Sequence, residues 1–301
     1  MTALLLRDVT LRDGLQDETP VLLASKLEVF EALLEAGVTD LELTSFVRPD
    51  RVPAMADAEA LCAATDRAGI TRWGLVLNPR GAERALSAGL RHLQYVVSVS
   101  DSHSRRNAGA PTDQAMAGLA EVAALAAAAG AALELTLATA FGCPYDGPVD
   151  PDRVATLAAR AVGHGASSVS LADTIGVAVP TEVRALVAAV RPVAGVPVGV
   201  HLHDTRGLGL ANALAAVDAG ADRVDGTVGA LGGCPFAPGA SGNLALEDLV
   251  HALEAMGVRT GLSVTGLVAA AHVACGAVGR PVGSHVGLAG PRFANLQGAP
   301  A

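Results

Sequence analysis

The chain is poor in aromatic residues: Phe, Trp and Tyr together make up only 3% of it. With 51% hydrophobic residues a large core is still available, but Ala, Val and Leu must fill it. Side chains of that size suit helices laid closely on a sheet. Lysine is almost missing, since Lys26 is the only one and arginine supplies the other cations. Asp and Glu outnumber Lys and Arg by 30 to 21, the formal charge is −9, and there is no basic run. That balance argues against nucleic acid as a partner, because phosphate backbones are held by clustered cations. No uninterrupted apolar run approaches the roughly 18 residues of a membrane span. The apolar start, Leu4 to Leu6, is ended by Arg7 and Asp8, too soon for a signal peptide. A soluble, cytoplasmic protein without membrane attachment is the expectation. The four cysteines, Cys62, Cys143, Cys234 and Cys275, are far apart and form no CxxC pair, which argues against a disulfide framework or a zinc ribbon.

What the chain does contain is an alternation of short apolar runs with Ala-rich helical stretches. Strands are expected at Leu4–Val9, Asp40–Thr44, Trp73–Leu77, Leu93–Ser98, Leu133–Thr139, Ser168–Leu171, Val198–His203 and Arg223–Thr227. Helices such as Ser25–Ala36, Asp113–Ala129 and Pro180–Val190 lie between them; in the first, Leu27, Phe30, Leu33 and Leu34 share a face and Gly37 stops the run. A helix after every strand acts as a crossover and forces neighbouring strands to run parallel. Eight such units in 301 residues fit an α/β fold of the closed (β/α)8, or TIM, barrel type. The rival is an open doubly wound sheet, and no GxGxxG follows the first strand to support its dinucleotide-binding form. No Pro-, Ser- or charge-rich linker divides the chain. One catalytic domain is therefore expected over 1–301, with the barrel at about 4–257 and a short C-terminal helical extension at about 258–301.

The polar residues of interest fall where the expected strands end, the face that carries the active site in such barrels. His201 and His203 are two apart, so on a strand both point to one side with their backbones about 6.5–7 Å apart. Two imidazoles so placed can bind one cation; alone, they read equally well as hydrogen-bonded core histidines. A closed barrel sets strand eight between strands seven and one, so Asp13 and Asn243 can converge on the same point. Two imidazoles with two hard oxygens, leaving places for water or substrate, suit Mg²⁺ or Mn²⁺ better than structural zinc. Gly229 to Asn243 holds five glycines in fifteen residues, a loop able to close on a ligand, with Cys234 inside it as a proton donor or as an incidental thiol. Arg12 beside Asp13 reads either as a surface ion pair or as a substrate contact next to a metal ligand. Glu42 reads either as a surface charge at a strand end or as an acid–base residue near the metal.

These residues sit in segments that together resemble the hydroxymethylglutaryl-CoA lyase family, within the metal-dependent lyases and Claisen synthases named for an Asp-Arg-Glu barrel signature. The segments are Arg12-Asp-Gly-Leu-Gln16, Leu41-Glu-Leu-Thr-Ser-Phe46, Gly142-Cys-Pro-Tyr145, Asp173-Thr-Ile-Gly176 and His201-Leu-His-Asp-Thr205. The most specific is Leu231-Gly-Gly-Cys-Pro-Phe-Ala-Pro-Gly-Ala-Ser-Gly-Asn243, followed by Glu247-Asp-Leu249. The resemblance runs from Asp8 to about Gly257. It implies a pyruvate-carboxyltransferase-like barrel, an acyl-CoA substrate, a divalent metal and a homodimer. Asp13, His201, His203 and Asn243 would hold the metal and Arg12 would stabilise the enolate oxygen of the thioester. Cys234 would move a proton, Glu42 would stand beside the metal, and Asp13 would share in catalysis. Gln16 and Asp173 would touch substrate, while Arg105, Arg106 and Asn107, after strand four, would meet the CoA portion; guanidinium groups fork onto phosphate oxygens. Cys143 is read as structural.

Three positions depart from the lyase pattern. Asp8-Val-Thr-Leu-Arg-Asp-Gly14 looks more like the condensing synthases, Arg206 stands where Tyr is usual, and Ala172 replaces a Gly. The resemblance implies cleavage of hydroxymethylglutaryl-CoA to acetyl-CoA and acetoacetate. A different 3-hydroxyacyl-CoA, or the reverse condensation, are the alternatives. The short stretch after the barrel and the Cys-bearing loop favour the lyase over the synthase. A barrel kept only for binding would be expected to have lost a ligand or Arg12 first.

Overall fold

In the computed structural model, residues 4–233 and 242–293 are described. Eight strands, β1 (Leu5–Asp8), β2 (Asp40–Ser45), β3 (Thr71–Val76), β4 (His92–Ser98), β5 (Ala132–Ala138), β6 (Ser168–Asp173), β7 (Val198–Leu202) and β8 (Arg223–Gly226), pair in chain order and close into a barrel. Every pairing is parallel, including β1 with β8. The helices are α1 (Leu23–Glu35), α2 (Ala58–Ala64), α3 (Pro79–Ser87), α4 (Asp101–Asn107), α5 (Thr112–Ala128), α6 (Pro151–Gly163), α7 (Pro180–Ala194), α8 (Gly209–Asp218), α9 (Leu246–Ala255), α10 (Val264–Val278) and α11 (His285–Ala289). The (β/α)8 barrel read from the sequence is thus the observed fold. No described helix is long and apolar enough to cross a membrane.

The helices form where the apolar spacing demands it. In α5, Ala115, Met116, Leu119, Val122, Ala123 and Ala126 are buried at steps of three and four, so one stripe faces the sheet. Helix α7 starts on Pro180 with Glu182 accepting the Val179 N–H, and ends at Gly195 in the left-handed region (φ 65°). Helix α10 lies against α1 closely enough that a Cβ on Gly266 would fall 2.9 Å from the Ala36 Cα. Asp248 accepts the N–H groups of His285 (2.9 Å) and Val286 (2.7 Å) and so ties α11 to α9. Within the described residues, α10 and α11 therefore pack in the outer layer of the barrel.

Several boundaries differ from expectation for local reasons. Strand β1 stops at Asp8, because Val9 opens a π-helical turn over Thr10–Gly14 in which the Asp13 and Gly14 N–H groups both reach the Val9 carbonyl. Strand β7 stops at Leu202; His203 instead forms an antiparallel bridge with Asn243. Residues 101–107, after strand four, form α4, capped by Ser100 and carrying Asp101 in its first turn and Arg105 and Arg106 in its last.

Strand β5 shows the alternation that positions the site. Leu133, Leu135 and Leu137 of β5 join the apolar core under the helices, while Glu134, Thr136 and Ala138 face the barrel axis. Ala, Val and Leu make up most of the apolar core, as the composition suggests, but the barrel axis also carries polar and charged side chains. Its lower end holds buried charges from opposite strands. Arg7 donates to Asp40 (2.6 Å) and Glu134 (2.9 Å) and lies 3.8 Å from the Trp73 ring centre; Arg223 pairs with Glu134 and donates to Asp225 (2.6 Å). Gly199 makes room, since a Cβ there would stand 2.7 Å from the Arg223 guanidinium. Each charge meets an opposite one, the condition for burying it at all.

Candidate active site

A cavity of about 720 Å³ opens at the C-terminal ends of the strands. Arg12, Asp13, Gln16, Gln94, Arg105, Arg106, Asn107, Thr136, His201 and His203 are among the residues that line it, so most of the expected site residues meet at one mouth. The π-helical turn presents Arg12 and Asp13. It is pinned by Thr10, whose hydroxyl donates to Asp8 (2.8 Å) and accepts the Val228 N–H (2.9 Å), tying β1 to the end of β8.

Asn243 arrives from the other side. Beyond the undescribed residues the chain runs between the ends of β7 and β8, with Leu244 N–H on the Leu202 carbonyl and Thr227 N–H on the Leu244 carbonyl, both at 3.0 Å. Two glycines permit the approach. Gly242 adopts φ 101° with a would-be Cβ 2.3 Å from the Ala230 oxygen, and a Cβ on Gly232 would lie 2.5 Å from the Asn243 amide nitrogen.

Asp13, His201 and His203 offer ligand atoms all within 4.8 Å of one another. The two imidazole Nε2 atoms face each other at 3.2 Å and stand 3.7 and 3.5 Å from Asp13 Oδ2. The Asn243 amide nitrogen donates to Asp13 Oδ2 at 2.7 Å, and its Oδ1 is buried with no partner. Three ligand atoms gathered at one place and an unmet carbonyl oxygen fit a hard divalent cation, with places left over for substrate. Asp225 Oδ2 lies 3.6 Å from His201 Nδ1, the far ring nitrogen, as the outer carboxylate of a histidine ligand does.

The electrostatics follow from burial against neighbours. Burial penalises the Asp13 carboxylate, but Arg12 and the two histidines outweigh it and hold its pKa well below the usual range. For Glu42 burial prevails over Arg12 and the pKa is raised. Burial opposes charge on His201, yet Asp225 and Asp13 overcome it and raise the pKa. Asp225 is held low because Arg223 and His201 outweigh its burial. Arg12 pairs with Asp13 and donates to Glu42 at 2.8 Å; its own pKa is raised since those carboxylates outweigh desolvation. Its Nε–H is buried without an acceptor, a donor left for a ligand.

Other expected residues have different surroundings. Gln16 is half-buried at the rim. Asp173 uses both carboxylate oxygens on the N–H groups of Val177 (2.9 Å) and Ala178 (3.0 Å), and so shapes the turn into α7. Arg206, the departure after His-Asp-Thr, donates to the Ile175 and Gly176 carbonyls (2.9 Å each) and braces the same turn. Arg105, Arg106 and Asn107 are exposed on α4, with Arg106 stacked 4.0 Å from the Tyr145 ring centre. Cys143 is buried and lies 2.9 Å from the Ser100 hydroxyl. Cys234 lies outside the described residues. Gln94, Thr136 and Asp225 were not singled out from the sequence. Polar residues at inward positions of apolar strands were their only signal.

Comparison with known proteins bears on the family and the fold. Residues 3–274 match the HMGL-like family model. The (R)-citramalyl-CoA lyase of Chloroflexus aurantiacus is 42% identical, over 97% of this chain and 96% of that protein. A hydroxymethylglutaryl-CoA lyase of Bacillus subtilis is 38% identical, over 93% and 94% of the two chains. Among solved structures, an HMG-CoA lyase from Acinetobacter baumannii in complex with coenzyme A and 3-methylmalate superposes with a TM-score of 0.92 at 35% identity, over 97% of each chain. The carboxyl transferase domain of Rhizobium etli pyruvate carboxylase, 19% identical with a TM-score of 0.73 over 92% of this chain and 48% of that one, shares the fold. With its barrel mouth, its Asp13–His201–His203 cluster and these relatives, the chain belongs to the HMGL-like family of lyases, the hydroxymethylglutaryl-CoA lyase family.

Proposed function

We propose that the protein cleaves the carbon–carbon bond of a 3-hydroxy-3-methyl dicarboxylic acyl-CoA, with hydroxymethylglutaryl-CoA as the first substrate reading. The observation that carries this is the convergence of Asp13, His201 and His203 beside Asn243, with Arg12 next to them, at one barrel mouth. A Mg²⁺ or Mn²⁺ ion held by Asp13, His201, His203 and Asn243 would acidify the substrate's 3-hydroxyl and offset its charge. The hydroxyl proton passes to a base in the cluster, for which Asp13 is the candidate. As the bond between C2 and C3 breaks, its electron pair moves into the thioester as an enolate. The unpaired Nε–H of Arg12 would meet the enolate oxygen; its two Nη groups are held by Asp13 and Glu42, so it need not reorganise during the reaction. Protonation of C2, assigned to Cys234 by its place in the family motif, yields acetyl-CoA, and the remainder leaves as acetoacetate. Arg105, Arg106 and Asn107 would receive the CoA phosphates at the rim.

A second substrate reading is favoured by a specific finding: the 42% identical relative is an (R)-citramalyl-CoA lyase. Citramalyl-CoA has the same 3-hydroxyl, 3-methyl and carboxylate groups with one methylene fewer, and its cleavage gives pyruvate. One methylene is worth only about 1–3 kcal/mol of discrimination, so shared machinery is compatible with either substrate. The test is product analysis of protein with Mg²⁺ or Mn²⁺ and each thioester in turn. Acetoacetate or pyruvate formed alongside acetyl-CoA identifies the substrate. Failure with both thioesters, together with CoA thiol released from acetyl-CoA and a 2-oxo acid, would replace the lyase by a condensing synthase.

A further inference from the structure

Just below the metal cluster the barrel axis carries a layer in which Glu42 and Asp225 support the site described above while Gln94 is not used by it. A strand tilt of about 36° with strands about 4.8 Å apart displaces each strand by roughly one residue per neighbour at a given height. From the pairings Thr136 with Ser170 and Ser170 with Gly199, that rule brings Thr136 on β5 level with His201 on β7. One half-step lower it levels Gln94, Ser170 and Asp225 from β4, β6 and β8, with Glu42 of β2 opposite. The layer is polar throughout. Gln94 and Thr136 line the cavity, and Gln94 is 1% exposed.

Gln94 donates from Nε2 to the Thr136 hydroxyl oxygen at 2.8 Å, while its carbonyl Oε1 is buried with no partner. Such an atom costs about 1–3 kcal/mol unless a ligand or water meets it. A half-turn of the amide exchanges the roles. Oε1 then accepts a hydrogen bond from the Thr136 hydroxyl, and Nε2 presents its N–H donors to the cavity, as a carboxylate requires. The charged neighbours do not forbid an anion here, since Glu42 is answered by Arg12 and Asp225 by Arg223.

We propose that Gln94 and Thr136 are the specificity-determining pair for the acyl group, receiving the substrate's carboxylate on the floor of the cavity at the height of His201. The proposal rests on the lyase reading and adds to it the residues that recognise the acid end of the substrate. They stand on rigid strands, so substrates are told apart by the reach of the carboxylate arm.

The test uses full-length, Mn²⁺-loaded protein with hydroxymethylglutaryl-CoA and citramalyl-CoA, comparing wild type with Gln94→Met, Thr136→Val and Thr136→Ser. Mn²⁺ affinity and competitive inhibition by free CoA serve as controls. The expected result is a loss of about 10–100-fold in kcat/KM, carried mainly by KM, in Gln94→Met and Thr136→Val. Thr136→Ser, which keeps the hydroxyl, should stay near wild type, and Mn²⁺ and CoA binding should not change. Unchanged kcat/KM in the first two variants would overturn the proposal alone. So would an equal loss of Mn²⁺ or CoA binding, or failure of both variants to fold, because the pair would then be a structural support. Wild-type protein inactive on both thioesters would sink the lyase reading and this proposal together.

Discussion

Asp225 offers the sharpest test of how the site is built. It is buried at the axis, 3.6 Å from His201 Nδ1 on one side and bonded to Arg223 Nε at 2.6 Å on the other. A carboxylate there fixes the imidazole with Nδ1–H turned away and the Nε2 lone pair facing Asp13 and His203. Removing such an outer carboxylate usually weakens metal binding about 10–100-fold, which is about 1.4–2.8 kcal/mol. Asp225→Asn keeps an acceptor for Nδ1–H and removes only the charge, so it should fall near the tenfold end. Asp225→Ala removes both and should fall near the hundredfold end. It should also cost about 3 kcal/mol of stability, because Arg223 would keep Glu134 as its sole charged partner in the interior. Calorimetric titration with Mn²⁺ measures the first effect and urea unfolding the second. Folded Asp225→Ala protein that binds Mn²⁺ as tightly as wild type would refute the argument, for His201 would then be oriented without its neighbour.

Two further outcomes are expected. Arg12→Gln should lower kcat by at least about 100-fold, the scale of losing one preorganised donor to a developing oxyanion, with Mn²⁺ affinity little changed; near-normal turnover in a steady-state assay would remove Arg12 from the mechanism. Burial pushes the pKa values of Asp8, from 3.8, and Glu247, from 4.5, both up to about 7. The folded state therefore holds protons that the unfolded chain has released. Their contribution to stability is full below about pH 4, declines as pH rises towards 7 by about 1.4 kcal/mol per unit per group at most, and is constant above that. The double variant Asp8→Asn/Glu247→Gln should therefore lose less stability than wild type between pH 5 and pH 8. Parallel curves in urea unfolding would show that these carboxyls do not titrate as their burial implies.

The amino-acid sequence alone determined the repeating unit and half of the site. Apolar alternation within short runs marks strands and steps of three and four mark helices, because those periodicities are local geometry. His201 and His203 could be placed on one side of a strand for the same reason, and Arg12 beside Asp13 at a strand end. Tertiary structure decided what lies across the barrel from what. Asp13 reaches the histidines only because β1 closes on β8, and Asn243 only because its segment lies between the ends of β7 and β8. The axis was the least legible part. Arg7, Glu134 and Arg223 interrupt apolar runs, and nothing in the local pattern sets Gln94 and Thr136 apart from other polar positions. A buried charge or amide is tolerable only opposite its partner, and for these residues the partner stands on a strand as many as 127 positions away. Periodicity tells a side chain which face it takes, but the closure of the barrel chooses the neighbour that makes burial affordable.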